Sequence, residues 1–175
     1  MWGVWKAMGA PGRAPAVPRP TRRRISMQAA KVYRAVGLMS GTSQDGVDAA
    51  LVETDGEGFV ECGPALTVPY DEGVRERLRR IAGRDPQDAP KLVAETAREI
   101  TLVHAEAVRR LLADCGKTSA EIDVIGFHGH TILHQPRRGV TVQIGDGDLL
   151  AELTGIEVVD DFRSRDVAAG GEGAP

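Results

Sequence analysis

Several things are scarce in this chain, and each scarcity closes off a class of protein. Aromatic side chains make up only 4% of its 175 residues, so its core must be packed from aliphatic side chains. No apolar run approaches the roughly 20 residues that a membrane-spanning helix needs. The two cysteines, Cys62 and Cys115, lie far apart. That excludes a disulfide framework and any paired metal-type spacing, and both read as reduced structural thiols of a cytoplasmic protein. A net charge of -3 and a pI near 5.8 leave no basic surplus of the kind that marks a nucleic-acid binder. There are no internal repeats. Hydrophobic residues make up 42% of the chain, enough for one folded domain and too many for a disordered composition.

Residues 1–26 lack any apolar period. They hold Pro11, Pro15, Pro18 and Pro20, then Arg22-Arg23-Arg24. The segment is expected to be a disordered extension, or the product of a start assigned too early, with Met27 as the true first residue. Its Arg-rich, acid-free composition fits a transit peptide loosely, and the missing apolar h-region argues against a secretory signal.

Beyond it the chain is organised around Met39-Ser40-Gly41-Thr42-Ser43-Gln44-Asp45-Gly46-Val47-Asp48. Short apolar runs, Ala35–Leu38 and Ala49–Val52, flank a cluster of turn residues, which predicts a β-hairpin over about 32–54 with its tip at Gly41–Gly46. Such a tip aims backbone N–H groups and two hydroxyls in one direction, which suits phosphate oxygens. Gly41 is expected to need close approach and positive φ. Asp45 and Asp48 are candidate Mg²⁺ holders, directly or through water. The same residues would also build an ordinary polar hairpin.

The rest alternates in type. A turn at Asp55–Gly58 leads to a strand near Phe59–Cys62, extended toward Val68, in which Pro64 predicts an edge position or a bend. Val74, Leu78 and Ile81 share one face of a helix over 71–82 that Gly83 ends. Asp88 is the expected N-cap, with Pro90 in the first turn, of a long helix over about 89–114 whose apolar stripe has 3.6-residue spacing. His104 beside that stripe reads as a partly buried structural histidine. Gly116 closes the helix, and Thr118–Glu121 has a capping-box pattern. Ile122–Phe127 reads as a buried strand delivering His128-Gly129-His130-Thr131 at its C-terminal end, where open α/β sheets bind ligands. A second strand, Val140–Asp146, precedes a helix over 148–153 with Leu149, Leu150 and Leu153 inward. A third, Ile156–Val159, releases Asp160-Asp161-Phe162-Arg163, followed by Asp166 and a glycine-rich loop. Polar groups therefore gather in three clusters: His128 with His130, Gln143 with Asp146, and Asp161 with Arg163 and Asp166. Taken singly, each has an ordinary structural explanation, such as helix capping by Asp146.

Met39–Asp48 resembles the nucleotide-phosphate hairpin of the anhydro-N-acetylmuramic acid kinases, within the actin/Hsp70/hexokinase-like superfamily. That family's pattern is Met-Ser-Gly-Thr-Ser-x-Asp-Gly-x-Asp, and every fixed position is present here. It is not a Walker A loop, because no Gly-Lys-Ser/Thr follows. The resemblance continues through His128–Thr131, His134, Pro136 and the run from Asp161 to Pro175, covering Val32–Pro175. The chain departs from the family twice: His130 and Glu172 stand where the family has Gln.

The resemblance implies an α/β fold, the ribonuclease-H-like N-terminal lobe of a sugar kinase. It implies a reaction of ATP, water and 1,6-anhydro-N-acetylmuramic acid that yields N-acetylmuramic acid 6-phosphate and ADP, with Mg²⁺, in cell-wall turnover. Gly41, Thr42, Ser43, Gln44, Asp45, Gly46, Val47 and Asp48 would bind ATP phosphates. His128, Gln143, Asp146, Arg163 and Asp166 would bind the sugar. The expected partners are small molecules, with no nucleic acid and no membrane; a homodimer is an allowed state with no sequence feature specific to it. The family's general-base aspartate lies in a segment beyond Pro175, as does its adenosine-binding half. The chain is thus expected to be one lobe without turnover of its own, the alternative being a non-catalytic remnant with weak phosphate or sugar binding.

Overall fold

The two apolar runs pair as expected. In the computed structural model, which describes residues 31–173, β1 (Tyr33–Ser40) and β2 (Gly46–Thr54) form an antiparallel hairpin in the register Met39–Asp48, Val36–Leu51. The expectations for residues 1–26 and for Ala174-Pro175 lie outside the described residues. β3 (Val60–Pro69) adds to β2 and is an edge strand. Its pairing shifts between Ala50–Ala65 and Val52–Cys62, so Gly63 and Pro64 bulge out opposite Leu51. Both consequences expected of Pro64, an edge and a bend, are present. Strand alternation sorts the side chains: Val36, Leu38, Val47, Ala49, Leu51 and Val68 are buried on one face. The other face is bare around Gly37, Met39, Asp48, Ala50, Ala65 and Thr67, which line a shallow cavity of about 480 Å³.

The helices pack on the buried face. α1 (Glu72–Ile81) is capped by Asp71, which accepts from the Val74 N–H at 2.8 Å, and it buries Val74, Leu78 and Ile81. Gly83 takes φ +73° and donates its N–H to the Ile132 carbonyl at 2.6 Å. Asp88 is not the next N-cap. Asp85 accepts from the Gln87 N–H at 2.9 Å and caps a 3₁₀ turn over Pro86–Asp88 that contains Asp88 itself. Asp88 therefore lacks the extended backbone a cap needs. α2 (Pro90–Asp114) starts from Ala89 with no side-chain cap and with Pro90 in its first turn. It ends as Gly116 predicts: Lys117 N–H bonds the Leu112 carbonyl at 2.8 Å and Gly116 N–H the Ala113 carbonyl at 3.1 Å. Thr118 donates its N–H and hydroxyl to Glu121 Oε2, at 2.9 and 3.1 Å.

His104 on α2 is not partly but fully buried. Its Nδ1–H donates to the Ile100 carbonyl at 2.7 Å, one turn back, and its ring meets Phe127 edge-on at 4.9 Å. Nε2 is buried with no partner.

The strand after α2 is longer than expected. β4 (Val124–Gln135) does not end at Phe127 but runs through His128–Thr131. Gly129 makes that possible. It takes φ +67°, and a Cβ there would lie 2.4 Å from the Ile144 carbonyl oxygen. The first half of β4 runs parallel to β1 on one side and to β6 (Val158–Val159) on the other. Its second half pairs antiparallel with β5 (Val140–Ile144). Between β5 and β6, α3 (Gly147–Thr154) buries Leu150 and leaves Leu149 half-buried. Leu153 faces solvent, against expectation, because Leu150 and Thr154 lie one turn apart on the inner stripe and rotate it outward. α4 (Ser164–Ala168) follows β6. No helix among the described residues is long and apolar enough to cross a membrane.

Candidate functional site

The β1–β2 connection is a tight turn in which the Gln44 N–H bonds the Gly41 carbonyl at 3.1 Å. Gln44, with φ +57°, carries the left-handed conformation. Gly41 does not, which corrects the expectation of positive φ there. A Cβ on Gly41 would meet nothing closer than Ser43 Oγ at 3.5 Å, so the fold itself leaves that position open. Gly46 is the opposite case: a Cβ there would fall 2.4 Å from the Val68 carbonyl oxygen, so its glycine is required by β3. Thr42, Ser43 and Asp45 are exposed. Gly46 and Val47 are buried, and Val47 sends its side chain into the core, so these two can offer a ligand only backbone.

Asp45 accepts the Ser43 hydroxyl at 2.6 Å. That bond first, then the N–H groups of Asp45 and Gly46, hold its carboxyl below the ordinary range; nearby Arg75 acts the same way. Asp48 projects from the bare face and accepts the Thr67 hydroxyl at 2.5 Å. Among the described residues no three His, Cys, Asp or Glu side chains cluster to hold a metal. One or two carboxylates beside phosphates is nonetheless the usual way Mg²⁺ is bound. Asp45 on the turn and Asp48 on the bare face, each already accepting a hydroxyl, offer no fuller site than that.

The second cluster surrounds a polar pocket of about 190 Å³ lined by His128, Gln143, Gly145, Asp160 and Asp161. His128 Nδ1–H donates to the Gly129 carbonyl at 3.0 Å, which turns the Nε2 lone pair toward Arg163, whose Nε–H donates to it at 3.0 Å. Burial first, and the Arg163 charge second, lower the His128 pKa, so the ring stays neutral. Gln143 Nε2 donates to the Thr131 and Thr141 hydroxyls at 3.2 and 2.8 Å, and its carbonyl oxygen has no protein donor among the described residues. The structure therefore bonds Arg163 to His128 and sets Gln143 on the wall of the pocket that His128 lines. Asp146 and Asp166 do something else. Asp146 caps α3, accepting from the Leu149 N–H at 2.9 Å. Asp166 accepts the Gly173 N–H at 2.7 Å and folds the glycine loop around itself.

A third cavity, of about 280 Å³, lies between the hairpin and β4; Thr42, Gln44, His130, Thr131 and His134 contribute to its wall. Here the structure shows a network the sequence did not reveal. Tyr70, Ser40 and His130 are all buried. Tyr70 hydroxyl lies 2.8 Å from Ser40 Oγ, and Ser40 Oγ lies 2.9 Å from His130 Nδ1. Ser40 adjoins Gly41, and the Tyr70 N–H bonds the Asp45 carbonyl at 3.0 Å, so the network grips both ends of the turn. Ser40 was visible as part of the hairpin motif; nothing in the sequence marked Tyr70.

A family model described as anhydro-N-acetylmuramic acid kinase matches residues 33–175. The anhydro-N-acetylmuramic acid kinase of Rhodospirillum rubrum is 55% identical over 141 residues, covering 81% of this chain and 37% of that protein. Those of Paramagnetospirillum magneticum and Gluconobacter oxydans are 56% and 57% identical, with 81% of this chain and 38% and 39% of theirs covered. The chain thus spans less than half the length of the curated relatives it matches.

Proposed function

The chain belongs to the anhydro-N-acetylmuramic acid kinase family, and from that premise we propose that residues 31–173 form the lobe that holds ATP phosphates at the β1–β2 turn and the sugar beside His128. One observation carries this reading: β4 is a shared wall between two cavities, each with polar side chains in its lining. Thr131 lines the hairpin-side cavity, and its hydroxyl accepts from Gln143, which lines the other. A donor-rich turn and a pocket of sugar-type hydrogen-bonding groups therefore flank one strand. The strand order β3-β2-β1-β4-β5, with the short β6 also paired to β4, supports a ribonuclease-H-like lobe of the actin/Hsp70/hexokinase-like kind. Its first three strands are antiparallel, and β4 and β6 run parallel to β1.

In the reaction of this reading, water adds to the anomeric carbon of the 1,6-anhydro sugar. The C1–O6 bond opens, and O6 takes the γ-phosphoryl group, giving N-acetylmuramic acid 6-phosphate and ADP. Such a step serves peptidoglycan recycling in the cytoplasm. Backbone N–H groups of Gly41, Thr42 and Ser43, which the turn does not use internally, meet phosphate charge with preorganised donors. The N–H groups of Arg163 not used on His128 form a fork for the lactyl carboxylate of the sugar. Neutral His128 holds that fork, and the Gln143 carbonyl accepts from a hydroxyl or amide. Asp45 and Asp48 would hold Mg²⁺ through its waters, and that ion, when bound, offsets phosphate charge. Activation of the water is assigned to none of these residues.

A chimaera tests the proposal. Residues 33–173 replace the matching segment of the R. rubrum relative, and formation of the sugar 6-phosphate is followed with ATP and the anhydro sugar. The chimaera should turn over, whereas the 175-residue chain alone should bind ATP without turnover. A folded chimaera with no activity would sink the proposal.

A further inference from the structure

We propose that His130 is a ligand-contacting donor, its Nε2–H pointed by the Tyr70–Ser40 pair into the cavity beside the hairpin, where it meets a phosphoryl oxygen of the bound nucleotide. This deepens the reading above and rests on it. The argument begins with counting hydrogens. Tyr70, Ser40 and a neutral His130 bring three hydrogens to two contacts. If His130 carried its hydrogen on Nδ1, Ser40 Oγ would accept it, and one hydroxyl hydrogen would be stranded: that of Ser40 if Ser40 accepts from Tyr70 as well, or that of Tyr70 if Ser40 donates to it. Either is left over on a buried residue, Ser40 at 2% or Tyr70 at 5% exposed. Run the other way, Tyr70 donates to Ser40 and Ser40 donates to His130 Nδ1. Both hydroxyl hydrogens are then used inside the network, and the imidazole hydrogen sits on Nε2.

Two observations place that hydrogen toward a ligand. His130 lines the 280 Å³ cavity together with Thr42 and Gln44 of the hairpin. Its Nε2 also has no protein partner among the described residues, yet it is not one of the buried side-chain atoms cut off from solvent, as His104 Nε2 is. A donor that reaches an open cavity and has no acceptor of its own suits an acceptor-only group, and phosphoryl oxygens are such groups. Burial supports the same state, because it pushes the His130 pKa down to about 4 and Tyr70 up to about 12, so the ring stays neutral and the phenol stays protonated. The choice of His where the resembling family has Gln also acquires a reason. A glutamine amide likewise offers one acceptor inward and one donor outward.

The test is long-range ¹H–¹⁵N NMR of the four histidine rings in the intact 175-residue chain, with tripolyphosphate and then Mg·ATP added. Loss of one ring pattern in His130→Gln assigns the signals. The free protein should show His130 as the Nε2–H tautomer, while His104 and His128 are Nδ1–H. Added tripolyphosphate should shift the His130 ring together with the amides of Thr42 to Asp45. Tyr70→Phe should move His130 toward the Nδ1–H form. His130→Leu should weaken tripolyphosphate binding about three- to tenfold, the worth of one hydrogen bond, and His130→Gln should recover most of it. An Nδ1–H His130 in the free protein would overturn the proposal. Hairpin amides that shift while the His130 ring does not would overturn it and leave the hairpin assignment standing. If neither shifts, both fall.

Discussion

Lowering the pH from 7 to 5 loads protons onto the unfolded chain at two imidazoles that the folded protein keeps neutral. Burial brings His104 and His130 each down to about pKa 4 from 6.5; for His104 the nearby His130 and His128 add to that, and the Ile100 bond opposes it. Between those values the unfolded state binds more protons than the native state, so stability must fall as pH falls across this window. Linkage from 6.5 to 4 gives a loss of about 2 kcal/mol for each histidine between pH 7 and 5, on the order of 4 kcal/mol together. That is a large fraction of the stability of an ordinary domain. The half-buried His128, also shifted down, adds in the same sense. Asp45, Asp55, Glu72, Glu106, Glu121 and Asp123 are depressed carboxylates. Their stabilisation is present above the unfolded carboxylate pKa and is lost only as pH drops below it, so they act outside this window. Urea unfolding followed by far-UV circular dichroism at pH 7, 6 and 5 measures the effect. His104→Leu is the decisive variant, because it removes the buried Nε2 that has no partner while keeping similar volume. It should lose about half as much stability over the same interval, with His130 and His128 supplying the rest. If His104→Leu lost as much as the parent, desolvation of His104 would be the wrong explanation.

The two hairpin glycines should separate folding from binding. Gly46→Ala drives a methyl into the Val68 carbonyl and should cost about 2–3 kcal/mol in urea unfolding. Gly41→Val should stay within about 1 kcal/mol of the parent in the same assay, yet weaken Mg·ATP binding about tenfold by calorimetry, because its Cβ direction is open. A Gly41 variant that unfolds early but still binds nucleotide would reverse the assignment. Arg163→Ala in the chimaera should raise the KM for the sugar by a factor equivalent to about 1.5–3 kcal/mol and leave the ATP term alone; an effect confined to ATP would show that the two sites had been exchanged.

Local patterns made much of this fold readable. Alternation around Gly41–Gly46 and the 3.6-residue stripe through Ile100, Val108 and Leu111 are written in neighbouring residues, and both elements appear where the pattern puts them. Most of the failures occur where distant contacts decide, the choice of cap before the long helix being a local one. His128–Thr131 looked like a strand end because it is polar and holds a glycine, but pairing with β5 carries the strand through it. Asp85 outcompeted Asp88 as a cap because a proline follows it and starts a turn. His128 and Arg163 could be proposed as site residues from sequence, but not as a bonded pair 35 positions apart. Tyr70 and His130 meet only through Ser40, 30 and 90 positions away. No single-sequence period reports contacts at that range.

The bulge at Gly63 and Pro64 also decides how this sheet behaves toward other sheets. Among the described residues β3 has a neighbour on one side only, so its outer rim is where another extended chain would add. Pro64 has no N–H to donate, and the one extra residue that puts both Gly63 and Pro64 opposite Leu51 breaks the even spacing of the donors that remain. A second copy approaching edge to edge therefore finds a ladder with missing rungs. The residues that looked like an interruption of a strand thus make this ten-residue edge a poorer template for edge-to-edge pairing than an unbroken strand would be.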